Sequence, residues 1–283
     1  MVGFLNVTFP PIENYGVIGN MRSIALVGMH GSIDFLCYPA FDSPTVFAAL
    51  LDDKKGGRFF LAPQLTNMRV RQLYLPDTNI LLTRFLAEEG VAELTDYMPI
   101  GTKEEQPNEI IRMVQVVRGN VRFVMRCQPR FNYARSAHRA EVSEHCAVFF
   151  ASDDTCPPMA LYSTVALRQD DQDAIAHFGL KSRETATFVF GGLRSQGEPP
   201  EMQFTEQRFQ ETARFWKTWI AKSQYKGRWR EMVHRSALML KLLGSREHGS
   251  LIAAPAFSLP ESLGGVRNWD YRFTWLRDAT FTL

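Results

Sequence analysis

The spacing of apolar residues changes near residue 204, and this change constrains the fold more than any other feature of the chain. Before that point, short apolar runs alternate with turn residues, a pattern typical of an all-β sandwich with many strands. After it, in TEQRFQETARFWKTWIAKS, Phe209, Ala213, Trp216 and Ile220 follow helical spacing, with Thr205 available as the N-cap. We therefore predict an all-β domain over residues 1–204 and a linker helix over residues 205–226.

Several strands can be placed within the β region. Residues 80–87 and 91–98 flank the turn Glu88-Glu89-Gly90, which predicts a hairpin. Residues 110–117 and 121–127 flank Arg118-Gly119-Asn120 and predict a second hairpin, with Gly119 suited to a positive φ. Further strands are expected at residues 146–151, 159–167 and 185–190.

A second helix is predicted in GRWREMVHRSALMLKLLGS. Gly244 suits a left-handed C-cap, and one face of the helix is predicted to carry Trp229, Val233, Ala237, Leu240 and Leu243. The remainder of residues 227–283 is a loop rich in Pro and Gly and one helix start. So few elements cannot close a helical core, and we expect the second domain to be incomplete in this chain.

Composition excludes several classes of partner. Lys and Arg total 32 against 30 Asp and Glu, so a net charge of +2 gives no electrostatic case for nucleic acid or an anionic membrane surface. The N-terminus has no signal-peptide pattern, and no stretch approaches the roughly 18 apolar residues of a transmembrane helix. We expect a cytoplasmic protein. Without C-x-x-C pairs or clustered His, we expect no metal or cofactor and buried free thiols at Cys37, Cys127, Cys146 and Cys156.

Two polar features of the β region have ordinary structural interpretations. Asp34 and Asp42 lie beside a turn built on Pro39, Phe41 and Pro44, where Asx-turn and capping roles are expected. Seven Arg between Arg112 and Arg139, interleaved with aromatic residues, could suggest a nucleic-acid surface. Much of their spacing instead fits the outward positions of strands, and a solvated sheet face is the interpretation we favour.

The C-terminal stretch NWDYRFTWLRDATFTL concentrates aromatic rings and charges. A sugar has apolar C–H faces and a rim of hydroxyls, so a sugar site needs aromatic faces and charged groups that form paired hydrogen bonds. Tyr271, Trp275, Arg277 and Asp278 supply both. On a helix that begins near Thr274, Trp275 and Asp278 share a face, whereas Arg277 points elsewhere unless it lies in an irregular first turn. Spacing alone leaves open a structural Arg–Asp pair beside a core Trp.

The same stretch resembles the first active-site segment of glycoside hydrolase family 15, the glucoamylases, trehalases and related α-glucosidases. The N-terminal blocks IENYGVIGN, ALVGMHGSIDFLCYPAFDSPTVF and GGRF, together with PRFNYARSAH, resemble the trehalase-like N-terminal domain of prokaryotic members. Asn20 and Phe35 stand where the family pattern has Asp and Trp. The resemblance covers essentially the whole chain.

The resemblance implies a β-supersandwich, a linker helix and the beginning of an (α/α)6 toroid at residues 227–283. It also implies that Trp275, Arg277 and Asp278 line a pocket for the terminal glucose of an α-glucoside, with Tyr271 as a further contact. The implied substrates are malto-oligosaccharides, isomalto-oligosaccharides or trehalose. Family members invert the anomeric centre with one carboxylic acid and one carboxylate.

Both catalytic glutamates of the family come from toroid segments that follow this motif. None of Glu231, Glu247 and Glu261 has a matching context, so the resemblance implies that this chain lacks the acid and the base and is inactive alone. The alternative from a different class is a non-enzymatic paralogue whose β-sandwich binds carbohydrate or a protein. A nucleic-acid-binding β domain would depend on the Arg-rich segment alone.

Overall fold

A computed structural model describes residues 9–100, 108–154, 156–194, 202–256, 262 and 265–282. Among the described residues before the long helix there are fifteen strands, and every pairing between them is antiparallel. The strands are β1 (Tyr15–Gly19), β2 (Ile24–Gly28), β3 (Ser32–Cys37), β4 (Thr45–Phe47), β5 (Arg58–Pro63), β6 (Arg69–Tyr74), β7 (Leu81–Leu86), β8 (Gly90–Tyr97), β9 (Glu109–Gln128), β10 (His138–Val142), β11 (Cys146–Ala151), β12 (Met159–Ser163), β13 (Arg168–Asp170), β14 (Asp173–Lys181) and β15 (Thr185–Gly192). The predicted β-rich domain is confirmed, and so is the hairpin of β7 and β8.

The strands form two sheets that share one strand. The first sheet runs β1-β2-β3-β5-β9-β14-β13, with β4 beside β3, and the second runs β10-β11-β12-β15-β9-β8-β7-β6. Alternate side chains of both sheets meet in one buried cluster rich in Phe, including Phe59, Phe123 and Phe188. This is a β-sandwich.

The second predicted hairpin is wrong, because residues 109–128 form the single strand β9. Its first half pairs with β8 and β15, and its second half pairs with β14 and β5. Gly119 does have a positive φ of 88°. It lies beside a bulge, since Val91 pairs with Arg118 and Ala92 pairs with Val116. A bulge bends a strand without reversing it, so β9 can pass from one sheet to the other.

We expect Gly119→Ala to destabilise the sandwich by about 1–3 kcal/mol, because a side chain at this φ is strained. A Cβ at this position would also lie 2.5 Å from the carbonyl oxygen of Glu89. The matched control is Gly179→Ala in β14, where the nearest atom to a new Cβ is a carbonyl oxygen 4.0 Å away. Urea denaturation of both variants measures the difference, and equal stabilities would contradict this role for Gly119.

The Arg-rich segment is in part a solvated sheet face, and two of its Arg side chains depart from that pattern. Arg118, Arg122 and Arg126 are exposed along β9. Arg112 is fully buried and forms an ion pair with Asp96, with 2.7 Å between Nε and Oδ1. Arg130 follows β9 and forms an ion pair with Asp173, with 2.6 Å between Nη1 and Oδ1. The sequence pattern did not separate these two Arg from the others.

The long helix α2 (Met202–Ile220) confirms the predicted apolar stripe, with Trp216 fully buried and Phe209 packed edge-on against Tyr97. It begins before Thr205, so the predicted N-cap is wrong. Thr205 is buried inside the helix, and its carbonyl oxygen accepts a hydrogen bond of 3.0 Å from the Tyr97 hydroxyl. The helix is therefore joined to the sandwich through its first turns.

Helix α3 (Arg230–Leu243) presents a different face to the protein from the one predicted. Its buried residues are His234, Leu238, Leu242 and Leu243, whereas three members of the predicted face, Trp229, Val233 and Leu240, are exposed. The reason is polar docking onto the turn before β7. His234 Nδ1 lies 2.9 Å from Asp77 Oδ1, and Arg235 donates to the carbonyl of Thr78. These contacts fix the rotation of the helix.

Other local predictions have mixed outcomes. Gly244 has φ −76° and ψ 126°, so the predicted left-handed cap is wrong; the chain instead continues extended and bridges to Leu251. Asp34 is a buried acceptor for the Tyr15 hydroxyl and Ser32 Oγ, rather than a turn cap. Three cysteines are buried free thiols as predicted, and Cys146 is half-buried. Among the described residues, no helix is long and apolar enough to span a bilayer.

Candidate functional site

The segment that carries the predicted sugar-binding residues is held in place by backbone hydrogen bonds. After α3, the Ile252 amide donates to the carbonyl of Leu243 at 3.1 Å. The next two amides, of Ala253 and Ala254, donate to the carbonyls of Phe273 and Tyr271 at 3.1 and 2.9 Å. Residues 271–273 therefore lie beside the extended segment that follows α3.

The four predicted residues come together in one cluster. The rings of Tyr271 and Trp275 stack with centroids 5.1 Å apart and planes at 24°. The Arg277 guanidinium lies 5.4 Å from the centroid of the Trp275 ring, and its Nη2 is 3.3 Å from Asp278 Oδ2. We call Tyr271, Trp275, Arg277 and Asp278 the aromatic–ionic cluster. It places ring surface and hydrogen-bonding groups side by side at the surface.

Helix α4 (Leu276–Thr282) begins two residues later than predicted, so Trp275 precedes it. Arg277 lies in the first turn of α4, the position in which its side chain was expected to be able to approach Trp275 and Asp278. The Arg277 side chain is 69% exposed and that of Asp278 is 34% exposed. The fork of Arg277 therefore faces solvent, where a hydroxyl-bearing ligand can reach it.

Arg272, inside the same motif, connects this segment to the β-sandwich. It is 8% exposed and makes a paired interaction with Asp270, with Nη2 to Oδ2 at 2.7 Å and Nε to Oδ1 at 3.0 Å. Its Nη1 donates to the carbonyl of Ser43 at 3.1 Å and lies 3.2 Å from Cys37 Sγ. Burial opposes its charge, but the hydrogen bonds with Asp270 prevail and the pKa of Arg272 is raised. It stays a cation at any physiological pH.

A left-handed turn in the β-sandwich meets Arg272 from the other side. In the turn α1 (Phe131–Ala134), Asn132, Tyr133 and Ala134 all have positive φ, which is costly for residues other than Gly. The Tyr133 amide donates to Thr45 Oγ1 at 2.8 Å, and the Tyr133 side chain is hydrogen-bonded to Arg272. The strained turn thus places Tyr133 against the segment that bears the aromatic–ionic cluster.

The thiol next to Arg272 is protonated near neutral pH. Burial raises the pKa of Cys37 to about 11, with the Arg272 charge opposing that rise. Within the described residues, no three His, Cys, Asp or Glu side chains are placed to hold a metal ion.

Three residues of this region were not predicted from the sequence to belong to it: Arg272, Tyr133 and Asp42. Arg272 and Tyr133 belong to the motifs NWDYRFTWLRDATFTL and PRFNYARSAH, but nothing in either motif predicts that the two side chains meet. Asp42, expected to cap a turn, is exposed on the wall of a cleft beside residues 272–274. Only the tertiary structure brings these residues together.

Comparisons with known protein families match nearly all of the chain. The family described as trehalase-like, N-terminal matches residues 5–216, and glycosyl hydrolases family 15 matches residues 227–283. The division at 1–204, 205–226 and 227–283 remains a prediction, and these two matches divide the chain in the same region.

Curated relatives are similar over most of this chain but are longer. A trehalase of Thermoplasma volcanium is 34% identical over 280 residues, which is 97% of this chain and 44% of that protein. A trehalase of Mycolicibacterium smegmatis is 32% identical, with 97% of this chain and 44% of that protein covered. Trehalase 1 of Sulfolobus acidocaldarius is 34% identical, with 94% and 43% covered. This chain spans less than half the length of these relatives.

Proposed function

Because the chain belongs to glycoside hydrolase family 15 and carries its trehalase-like N-terminal domain, we propose that it supplies the glucose-binding part of an α-glucoside hydrolase. The relatives named as trehalases make trehalose the first substrate to test. Maltose and isomaltose follow, because they present the same terminal α-glucosyl unit. We further propose that residues 227–283 begin an (α/α)6 toroid.

One observation carries the proposal: the aromatic–ionic cluster joins a ring stack to an exposed Arg fork. A glucosyl unit can place its apolar C–H edge against Trp275, with Tyr271 supporting that ring from behind. Arg277 then donates to adjacent hydroxyls, while Asp278 accepts from a hydroxyl and neutralises Arg277. These are binding roles, and no residue of the cluster is proposed as the acid or the base.

Hydrolysis by inversion requires two carboxyl groups with room for a water molecule between the base and the sugar. We propose that neither catalytic carboxyl is among Glu231, Glu247 and Glu261, whose sequence contexts do not match the family's glutamates. The 283-residue chain is then expected to bind an α-glucoside without cleaving it. Appreciable release of glucose from trehalose, maltose or isomaltose would contradict this part of the proposal.

Binding is tested by titrating the chain with trehalose, maltose and isomaltose, using saturation-transfer NMR and calorimetry. We expect saturable binding that Arg277→Ala weakens about 10–100-fold, since a hydrogen bond from a charged group contributes about 1.5–3 kcal/mol. The matched control is Arg126→Ala, an exposed Arg on β9, which should bind as the unchanged chain does. Absent binding, or equal affinities for both variants, would overturn the assignment of the cluster.

A further inference from the structure

A cleft of about 580 Å³ lies between the β-sandwich and the C-terminal segment. One wall comes from the sandwich, with residues 39–42, Arg22 and Asn108, and the other comes from residues 245–248 and 272–274. This volume lies in the range of pockets that hold small molecules. Neither wall alone encloses it, so the cleft depends on contact between the two parts of the chain.

Buried polar side chains fix the shape of the cleft. Asn108 is 7% exposed, accepts from Asn20 Nδ2 at 2.7 Å and donates to the carbonyl of Pro39 at 2.7 Å. Arg272 joins the opposite wall to the sandwich through Ser43 and Cys37. Because these groups are already bonded, the cleft needs little reorganisation when a ligand enters.

The exposed lining of the cleft suits a neutral, hydroxyl-rich ligand. Asp42 and Glu247 supply hydrogen-bond acceptors, Arg246 supplies donors, and the ring of Phe273 is 50% exposed. Charges of both signs face one space, whereas a site for an anion or a cation would favour one sign. An aromatic ring beside polar groups is the combination that packs against a sugar.

The cleft and the aromatic–ionic cluster share one stretch of backbone. Residues 272–274 line the cleft, and Tyr271 and Trp275 are their immediate neighbours on either side. The aromatic–ionic cluster and the C-terminal wall of the cleft are therefore contiguous along the chain.

We propose that this cleft binds the sugar unit linked to the glucosyl residue held by the aromatic–ionic cluster, so that the β-sandwich itself selects the substrate through Asp42. This inference rests on the proposed function. It assigns to the N-terminal domain a direct contact with the second sugar, with Phe273 and Glu247 completing that contact from the other wall.

The test compares glucose with trehalose and maltose as ligands of the 283-residue chain. If the cleft holds the second unit, at least one disaccharide binds about tenfold more tightly than glucose, the effect of one or two added hydrogen bonds. Asp42→Ala and Phe273→Ala should each reduce that advantage and leave the affinity for glucose unchanged. Asp170→Ala, an exposed Asp on β13, is the matched control and should leave both affinities unchanged.

The outcomes separate this inference from the proposed function. Suppose that Arg277→Ala abolishes glucose binding but that no disaccharide binds more tightly than glucose. The cleft assignment alone is then overturned. The same holds if a disaccharide does bind more tightly and both Asp42→Ala and Phe273→Ala retain that difference. Glucose binding that is insensitive to Arg277→Ala overturns the cluster. In that case, amide NMR shifts test the cleft assignment separately. Shifts at residues 245–248 that appear with a disaccharide but not with glucose support the assignment, and their absence overturns it.

Discussion

Arg112→Met should cost the β-sandwich about 3–5 kcal/mol of unfolding free energy, the usual effect of breaking a buried ion pair from one side. Arg112 and Asp96 are directly opposite each other on β9 and β8, and both side chains are fully buried. Arg112 also donates to the carbonyls of Phe59 and Gly31 at 2.5 and 2.8 Å. Methionine fills a similar volume but leaves the Asp96 carboxylate without its partner in the ion pair. It also removes one hydrogen bond from each carbonyl, although that of Gly31 still accepts from the Leu61 amide at 3.0 Å. Urea denaturation followed by circular dichroism measures the loss.

The sandwich contains its own matched control. Arg84 and Glu93 are also directly opposite each other, on β7 and β8, but the Arg84 side chain is 45% exposed. Arg84→Met should therefore cost no more than about 1 kcal/mol. The double variant with Arg112→Met and Asp96→Leu should recover much of the stability, because it removes the unpaired charge as well. If Arg84→Met and Arg112→Met lose similar amounts of unfolding free energy, the burial of the Arg112–Asp96 pair does not explain the cost of breaking it.

The deficit of Arg112→Met should also depend on pH. Burial raises the pKa of Asp96, and the Arg112 guanidinium opposes that rise. Without Arg112, the folded-state pKa rises further above the unfolded value of about 3.9. A raised folded pKa stabilises the protein below the unfolded pKa, and this stability is lost as pH rises through the folded pKa. The deficit should therefore be larger at pH 7 than at pH 5, and denaturation at both values checks this.

The parts of the fold that sequence predicted are those set by local pattern. Alternating runs and a short turn are enough to place β7 and β8, and helical spacing is enough to place the buried face of α2. The failures have distant causes. The positive φ of Gly119 is compatible with either a turn or a bulge. Pairing with strands distant in sequence keeps β9 continuous, so Gly119 lies beside a bulge. The rotation of α3 depends on a turn more than 150 residues earlier.

The candidate site shows the same division. The aromatic–ionic cluster occupies eight consecutive positions, so its members could be named from the motif. The cleft draws on residues 39–42, Asn108 and residues 245–248, which are far apart in sequence. Nor does the motif reveal that Arg272 is buried against the sandwich while Arg277 faces solvent. The sequence identifies the residue types that we propose bind a ligand, and tertiary contacts decide which Arg is buried and which is exposed.

Arg272→Met should release the cluster-bearing segment from the β-sandwich and weaken α-glucoside binding about tenfold or more. The variant loses the paired bonds to Asp270, the bond to the Ser43 carbonyl and the contact with Tyr133. Asp270 is 33% exposed and can regain water, so the cost in stability should be about 1–3 kcal/mol, less than for Arg112→Met. Calorimetry with trehalose and thermal unfolding measure the two effects.

If Arg272 positions the aromatic–ionic cluster, its replacement should also change the local hydrogen exchange of this segment, which a purely stabilising role would not predict. The amides of Ala253 and Ala254 donate to the carbonyls of Phe273 and Tyr271, so their hydrogen exchange reports whether that segment stays in place. In Arg272→Met these two amides should exchange faster, while amides in β9 keep their protection. Arg272→Lys keeps the charge but lacks the fork, and should restore stability better than it restores sugar binding. Arg126→Met, on the exposed face of β9, should change neither. Unchanged exchange at both alanines together with unchanged sugar affinity would show that Arg272 does not position the aromatic–ionic cluster.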